Sequence, residues 1–593
     1  MQEETKQCQN CKNAFTIDAT DFAFYDKIKV PPPTWCPECR MRRRFTFYNL
    51  NRIFKRRENL TGGKILSTFS DFFRGKVYEV SYWWSDNWDP MEYGREYDFT
   101  KPFFAQLESL MLEVPLPSRS IVNLIDSDYS ANATGLKNCY MLFNAQRDEN
   151  CLYSISIMDS KECADSHLLF SSELCYDCFM VGDSYKTLYS SNCFNCQEVY
   201  FSKDLRNCNR CFGCVGLRNK KFCIFNEQFS QEGYEEKIKE FNLGSFSGVE
   251  NIRKKIEELA PRIPRRFMNG TKNENVSGDY INSSKNVKHS FIIADSENIK
   301  YSYNLASGGS KDSYDHNSFG NNTELVYESS QVGNNSARIK FCFLCFNNNS
   351  DLEYCTNCMS ASNLFACVGL RNKQHCILNK QYTKEEYNEL VPKIKKHMDE
   401  MPYIDRKGRV YKYGEFFPIE FSPYAYNKTV AQEYYPLDSV TAEKEGYAWS
   451  DEEKRDYEIT KRVSDLPDDI HDVDESILTE VIECEHRGTC REQCTKAFKI
   501  VPRELQFYKQ MNIPLPRICF NCRHARRLLQ RNNPKLYLRQ CQCAGEKSHN
   551  QIYTNTATHA HGTTPCPTEF ETSYAPDRQE IVYCESCYQQ EVV

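Results

Sequence analysis

The sequence predicts a mainly β, multidomain chain: tandem right-handed β-solenoids, capped by helices and flanked by zinc ribbons. Three observations carry that prediction. From Cys139 to Cys223, chemically alike positions recur at a constant step of twelve. The string "CVGLRNK" at 214–220 returns at 367–373, with Cys223/Cys376, Asn226/Asn379, Gln228/Gln381 and Tyr234/Tyr387 at the same offset. Paired cysteines of the C-x2-C type stand near both ends, and 593 residues exceed what one hydrophobic core supports.

Residues 1–57 read as a zinc ribbon. Cys8, Cys11, Cys36 and Cys39 form C-x2-C…C-x2-C, a spacing that lets two knuckles aim four thiolates at one tetrahedral ion. All four ligands then come from protein, which leaves no open position for catalysis. Residues 58–118 read as an aromatic-rich segment containing a degenerate, metal-less ribbon. "KILSTFSDFFRGKVYEVSYWW" (64–84) faintly matches 569–590, with Glu79 and Tyr82 where Cys584 and Cys587 stand. An unrelated aromatic hairpin is the other reading. Trp83, Trp84 and Trp88 are either partner anchors or the core of that small unit, with burial the expected role.

Residues 119–230 form the first expected solenoid. Cys139, Cys151, Cys163, Cys175, Thr187, Val199, Cys211 and Cys223 make one column. Ala145, Ile157, Leu169, Val181, Cys193, Leu205, Leu217 and Phe229 make an apolar column six places on. Such a register marks units that stack like on like, although a wider helix with twice as many residues per turn would repeat identically. Valine and threonine replace cysteine at equivalent steps, so the inward thiols are expected to pack rather than react. Cys193, Cys196, Cys208, Cys211 and Cys214 are the one group kept as a candidate for additional metal.

A helical cap and bridge follows at 231–265, then a second solenoid at 266–382 whose steps are looser, from twelve to fourteen. "GNNTE", "GNNSA" and "NNNSD" suit its tight corners, because Asn and Gly tolerate left-handed backbone. A capping helix is expected at 383–401 and an irregular, acidic connector at 402–483.

Residues 484–535 repeat the N-terminal ribbon: 494–527 matches 11–44, with Phe498, Phe507, Tyr508 and Pro514 at the places of Phe15, Phe24, Tyr25 and Pro31. Its expected ligands are Cys490, Cys494, Cys519 and Cys522, with Cys484 a competing donor. Residues 536–593 form a C-terminal ribbon from Cys566, Cys584, Cys587 and one of Cys541 or Cys543, with His559 and His561 near enough to substitute. The total is about three structural Zn²⁺ ions.

"RNNPKLYLRQCQC", "CPTEFETSYAPDRQEIVYCESCY" and "WWSDNWDPMEYGREYDF" resemble uncharacterised multi-zinc-ribbon proteins of candidate-phyla, reduced-genome bacteria, over essentially the whole chain. The resemblance implies a bacterial zinc protein of the cytosol and supplies no activity.

Net charge is −6, so any nucleic-acid binding must be local. Residues 40–57 hold eight Lys/Arg and no acid, and 517–539 hold seven and no acid. Arg40, Arg42, Arg43, Arg44, Arg523, Arg526 and Arg527 are therefore the candidate contacts for RNA, DNA or a ribonucleoprotein. The same arginines could instead be inherited together by duplicated ribbons, or pair with the acidic stretch 464–483. A protein-interaction scaffold is the alternative function. No P-loop, defensible carboxylate pair or thioredoxin-like context points to an enzyme, and no apolar run approaches the ~20 residues of a membrane span. The N-terminus lacks an apolar signal region, so the expected location is the cytoplasm, where clustered cysteines more often bind metal than form disulfides.

Overall fold

The computed structural model describes residues 3–306, 308–451 and 457–592. The chain divides into two compact units, each assembled from separate stretches: residues 1–120, 268–450 and 533–536 in one, and residues 121–267, 451–532 and 537–593 in the other. The fold is strand-rich, with long parallel ladders and several small two-stranded sheets.

In the second unit, strands Ala131–Thr134, Phe143–Gln146, Ile155–Met158, His167–Phe170, Phe179–Gly182 and Ser191–Phe194 pair in parallel, each with the next at a constant step of twelve. Thus Ile155 faces His167 and Leu169 faces Val181. A second parallel sheet runs Tyr185–Leu188, Gln197–Tyr200, Asn209–Phe212 and Lys221–Ile224 at the same step. Pairing at this step excludes a turn of twice the length for this stretch. Left-handed φ recurs every third position, at Asn144, Arg147, Asn150, Tyr153 and Ser156 for example. L-residues disfavour that conformation by roughly 1–2 kcal/mol each. Asparagine supplies some corners, but Tyr153, Met180 and Phe201 also adopt it, so the ladder's own hydrogen bonds impose the corners as much as local propensity does.

The inward thiols pack. Cys139, Cys151, Cys163, Cys175 and Cys178 are buried with Leu142, Ile157, Leu169 and Val181 in one core. Their Sγ–H groups donate to backbone carbonyls two positions back, as in Cys163 to Lys161 at 3.0 Å. Among the described residues, Cys193, Cys196, Cys208, Cys211 and Cys214 do not gather into a group whose donors could hold a metal.

In the first unit the ladder spans 270–377. Its steps vary: Phe291 pairs with Tyr303, Tyr303 with Asn317, and Asn317 with Ser330, so successive steps are twelve, fourteen and thirteen. Both ladders end alike. Cys376 pairs antiparallel with Gln381, and Cys223 with Gln228, before a helix begins at Lys384 and at Gln231. The first of these helices runs Lys384–Glu400 and starts from a Thr383–Glu386 capping box.

The ribbons follow one plan. Strand Glu4–Gln7 pairs antiparallel with Ala14–Ile17, and Ile482–Glu483 with Ala497–Phe498. In each ribbon a helix follows, Ala19–Ile28 in the first unit and Pro502–Met511 in the second. Then comes a helix that carries the arginines, Pro37–Phe45 and Phe520–Leu528, capped by Cys36 and Cys519 and containing Cys39 and Cys522. The segment 54–84 matches the C-terminal ribbon element for element. Phe54–Arg57 pairs with Lys64–Ser67 as Tyr537–Gln540 does with Glu569–Thr572, and short helices close both at Val80–Trp84 and Glu585–Val592. At the place of Cys541 stands Glu58, whose carboxylate accepts from the backbone N–H of Leu60 at 2.5 Å and Thr61 at 2.6 Å. A carboxylate thus organises the turn where the C-terminal ribbon has a thiolate. Trp83 is buried, while Trp84 remains 44% exposed and Trp88 donates its Nε1–H to the Trp83 carbonyl at 2.9 Å.

Candidate metal centres and the buried arginines

Three groups of four cysteines each gather their sulfurs within 4.8 Å of one another: Cys8/Cys11/Cys36/Cys39, Cys484/Cys494/Cys519/Cys522 and Cys541/Cys566/Cys584/Cys587. A tetrahedral ion with Zn–S bonds of ~2.3 Å requires sulfurs ~3.8 Å apart. Cys11 and Cys36 are 3.8 Å apart, Cys519 and Cys494 4.0 Å, and Cys566 and Cys584 3.9 Å. The donor sets therefore fit zinc in chemistry and in spacing.

The same backbone device orders all three. The N–H of Cys36 points at Cys8 Sγ at 3.2 Å, that of Cys519 at Cys484 Sγ at 3.3 Å, and that of Cys584 at Cys541 Sγ at 3.2 Å. Such N–H···S contacts favour thiolate over thiol. They also correct the expected ligand set of the second ribbon. Cys484, not Cys490, occupies the place of Cys8: it directly follows a strand, as Cys8 does, and its N–H reaches Lys496 O as Cys8 N–H reaches Asn13 O. The nine residues 485–493 take the place of residues 9 and 10 of the first ribbon, an insertion that lengthens the knuckle and puts Cys490 at a deceptive spacing. Cys490 stands half-buried beside His486, 3.7 Å from Cys522. The strand-then-cysteine pattern "VIEC" against "ETKQC" was the readable signal. In the C-terminal ribbon the choice between two cysteines resolves to Cys541, and Cys543 joins a different group with His559, His561 and Cys587.

The arginines chosen as nucleic-acid contacts are mostly inside. Arg40, Arg43, Arg44, Arg523 and Arg527 are all nearly fully buried. In the first unit Arg40 meets Asp315 at 2.8 Å, Arg44 meets Asp315 at 3.0 Å and also Glu328, and Arg43 bridges Glu328 and Glu415. In the second unit Arg523 meets Asp165 at 3.0 Å, and Arg527 meets Asp165 at 3.3 Å and Asp177 at 3.2 Å. Asp177 also accepts Arg526 at 3.3 Å and Arg253 at 2.6 Å.

The two networks correspond residue by residue. Arg40/Arg523 and Arg44/Arg527 share the ribbon offset, while Asp315/Glu328 and Asp165/Asp177 each sit one ladder step apart within their own ladder. Arg40 stacks over Tyr301 at 5.3 Å and Arg523 over Tyr153 at 4.9 Å. Tyr301 in turn donates to Asp21 and Tyr153 to Glu504.

Burial opposes ionisation on both sides of these pairs. For Arg40 burial is the largest single influence and pulls the guanidinium down, but Asp315, with Tyr25 and Tyr327, together outweighs it and holds the guanidinium well above its usual range. Burial likewise pushes Glu328 up, but Arg43 and Arg44 outweigh it and hold that carboxyl below its usual value; Arg253 and Arg526 do the same for Asp177. For Glu504 burial wins, and its carboxyl lies above the usual range.

A phosphate backbone would have to displace these carboxylates, so five of the seven arginines are corrected from nucleic-acid contacts to internal ties between ribbon helix and ladder. Arg42, its side chain 16% exposed, pairs with Glu445 at 2.7 Å; Arg526, at 38%, is the most open of the seven. The carboxylates facing Arg523, Arg526 and Arg527 belong to the ladder, to Glu504 and to Glu250 rather than to the acidic stretch 464–483.

No protein family and no curated protein matches the chain. Among solved structures, one similar chain comes from Desulfovibrio desulfuricans G20, and its name assigns it provisionally to the acetyltransferases. The likeness covers 49% of this chain and 86% of that one, at 9% identity and a TM-score of 0.10, and carries no argument about function. No helix among the described residues is long and apolar enough to cross a membrane.

Proposed function

We propose that this chain is a non-catalytic zinc protein in which metal-held ribbons dock on two β-solenoids, and that its role is to present a rigid surface to a protein partner. The observation that carries the proposal is the buried arginine network. The basic helices spend their charge inside the molecule, so the ribbons act as structural clamps. The all-cysteine donor sets support the same reading, since four protein ligands leave no place on zinc for a substrate. In-register parallel pairing at short, nearly constant steps supports stacked solenoid turns. None of the 31 cysteines is paired in a disulfide, which suits a reducing cytoplasm.

The surface we assign to a partner is the open edge of the first ladder. Among the described residues, strand Ile121–Val122 pairs on one side only, with Ala133 and Thr134. Val122, Ile125 and Tyr129 there are 48%, 60% and 40% exposed. An unpaired edge with apolar side chains is a template for strand addition.

The test is affinity purification of the tagged full chain from its native cell, with and without nuclease. A protein that survives nuclease and is lost from V122K/I125K/Y129K supports the scaffold. Nucleic acid, or a partner released by nuclease, would return the function to ribonucleoprotein binding through the remaining exposed cations such as Lys55, Arg57 and Lys64.

A further inference from the structure

We infer that the C-terminal ribbon holds two metal ions rather than one, the second bound by Cys543, His559 and His561 and joined to the first through the thiolate of Cys587. The inference rests on reading Cys541/Cys566/Cys584/Cys587 as a zinc site and extends it. The sulfurs of Cys543 and Cys587 and one ring nitrogen each of His559 and His561 all lie within 4.8 Å of one another. Cys587 belongs to both groups. His561 Nε2 lies 3.3 Å from Cys587 Sγ, near the ~3.5 Å expected for nitrogen and sulfur on one tetrahedral zinc.

Each donor is held as a metal ligand is held. His561 Nδ1 is 2.6 Å from the Thr564 carbonyl, so it carries the proton and leaves Nε2 as the free lone pair. Asn555 donates Nδ2–H to Cys543 Sγ at 3.3 Å, while Tyr583 donates to Asn555 Oδ1 at 2.7 Å and fixes its orientation. His559 is 3% exposed, and neither ring nitrogen has a hydrogen-bond partner. Its Nε2 faces the Glu591 carboxylate at 3.4 Å, the geometry of a carboxylate–histidine–metal relay with Nδ1 toward the ion. Glu591 itself is fixed by Tyr553 at 2.9 Å and by the Thr556 N–H at 2.6 Å. Without an ion, a buried imidazole whose Nδ1 is left unmet is a standing penalty of the order of 1–3 kcal/mol.

The loop points the same way. In the segment 54–84 the corresponding turn closes within residues 58–63, held by Glu58. The C-terminal ribbon instead runs from Cys543 to Cys566 through a polar loop whose Ile552 is 57% exposed. A loop with so little apolar surface to bury needs another source of order, and a second ion supplies it. The charge balance agrees: five thiolates and two neutral imidazoles around two Zn²⁺ leave one net negative charge, against two for a lone tetrathiolate site.

The test uses the full chain, purified in reductant and loaded with zinc. Elemental analysis should give about four ions per chain, falling to about three in H559A/H561A with far-UV circular dichroism unchanged. About three ions in the wild type would overturn the second ion and leave the tetracysteine sites standing; about two or fewer would overturn those as well. An unchanged count of about four in the variant would also overturn the inference, because the extra ion would then lie elsewhere. If the variant unfolds, ¹¹³Cd NMR of the wild type decides. Two resonances coupled through the shared sulfur are expected, and uncoupled resonances would refute the bridge.

Discussion

Replacing Arg527 by Met tests whether the ribbon helices are tied down from within. Arg527 is 1% exposed and reaches Asp165 and Asp177 at 3.3 and 3.2 Å. Methionine fills much of the volume and removes the charge, leaving two buried carboxylates to share Arg523, Arg526 and Arg253. Breaking one partner out of a buried ion cluster costs ~3–5 kcal/mol, most of it the penalty of the charge left behind. Hydrogen exchange of the amides in Phe520–Leu528 reads this locally. Protection there should fall by a factor of ~100 or more, at ~1.4 kcal/mol per factor of ten. R527K should fall between, since a lysine keeps the charge and loses the fork. Adding D165N to R527M should return part of the loss, because the carboxylate it removes is then unpaired. The helix Pro37–Phe45 has its own carboxylates and serves as the control. Protection in R527M within a factor of about two of wild type, ~0.4 kcal/mol, would refute the buried network and reopen the basic surface.

C484S should lose about one zinc per chain while C490S keeps it, and elemental analysis of the two variants separates the ligand sets. R42S/R526S should leave RNA and DNA affinity and its salt slope unchanged; a slope flattened by ~1–2 would mean that these two partly exposed arginines touch phosphate. Asp148 is buried with Oδ1 on the Ser160 N–H at 2.9 Å and Oδ2 unpartnered, and burial pushes its carboxyl up to about 9. Because the folded-state value is raised, its favourable contribution is complete below pH ~4 and is lost progressively as pH rises toward about 9. D148N should therefore match wild type in stability near pH 4 and exceed it increasingly up to pH 8, by ~5 kcal/mol at most; a constant difference across that range would refute the assignment.

Whatever depends on local spacing was legible from the residues alone. The repeat register sets which side chains face each other across the ladder, since parallel pairing repeats with whatever period the side chains repeat. C-x2-C knuckles are local too, so Cys8, Cys11, Cys36 and Cys39 were readable without the fold. Cys484 was not, because the insertion at 485–493 hides it from a spacing rule while strand pairing keeps it in place. The fate of the basic stretch "CPECRMRRR" at residues 36–44 was settled only in three dimensions. Whether an arginine meets phosphate or carboxylate depends on what packs against its helix. Arg44 meets Asp315 and Glu328, which belong to a ladder far away along the chain. Those two acids are unremarkable in the linear sequence, and only the ladder, pairing their strands one step apart, stacks them into one carboxylate wall. Burial then raises the value of each pairing and the cost of each charge left alone, so the tertiary structure turned an apparent basic surface into an internal tie.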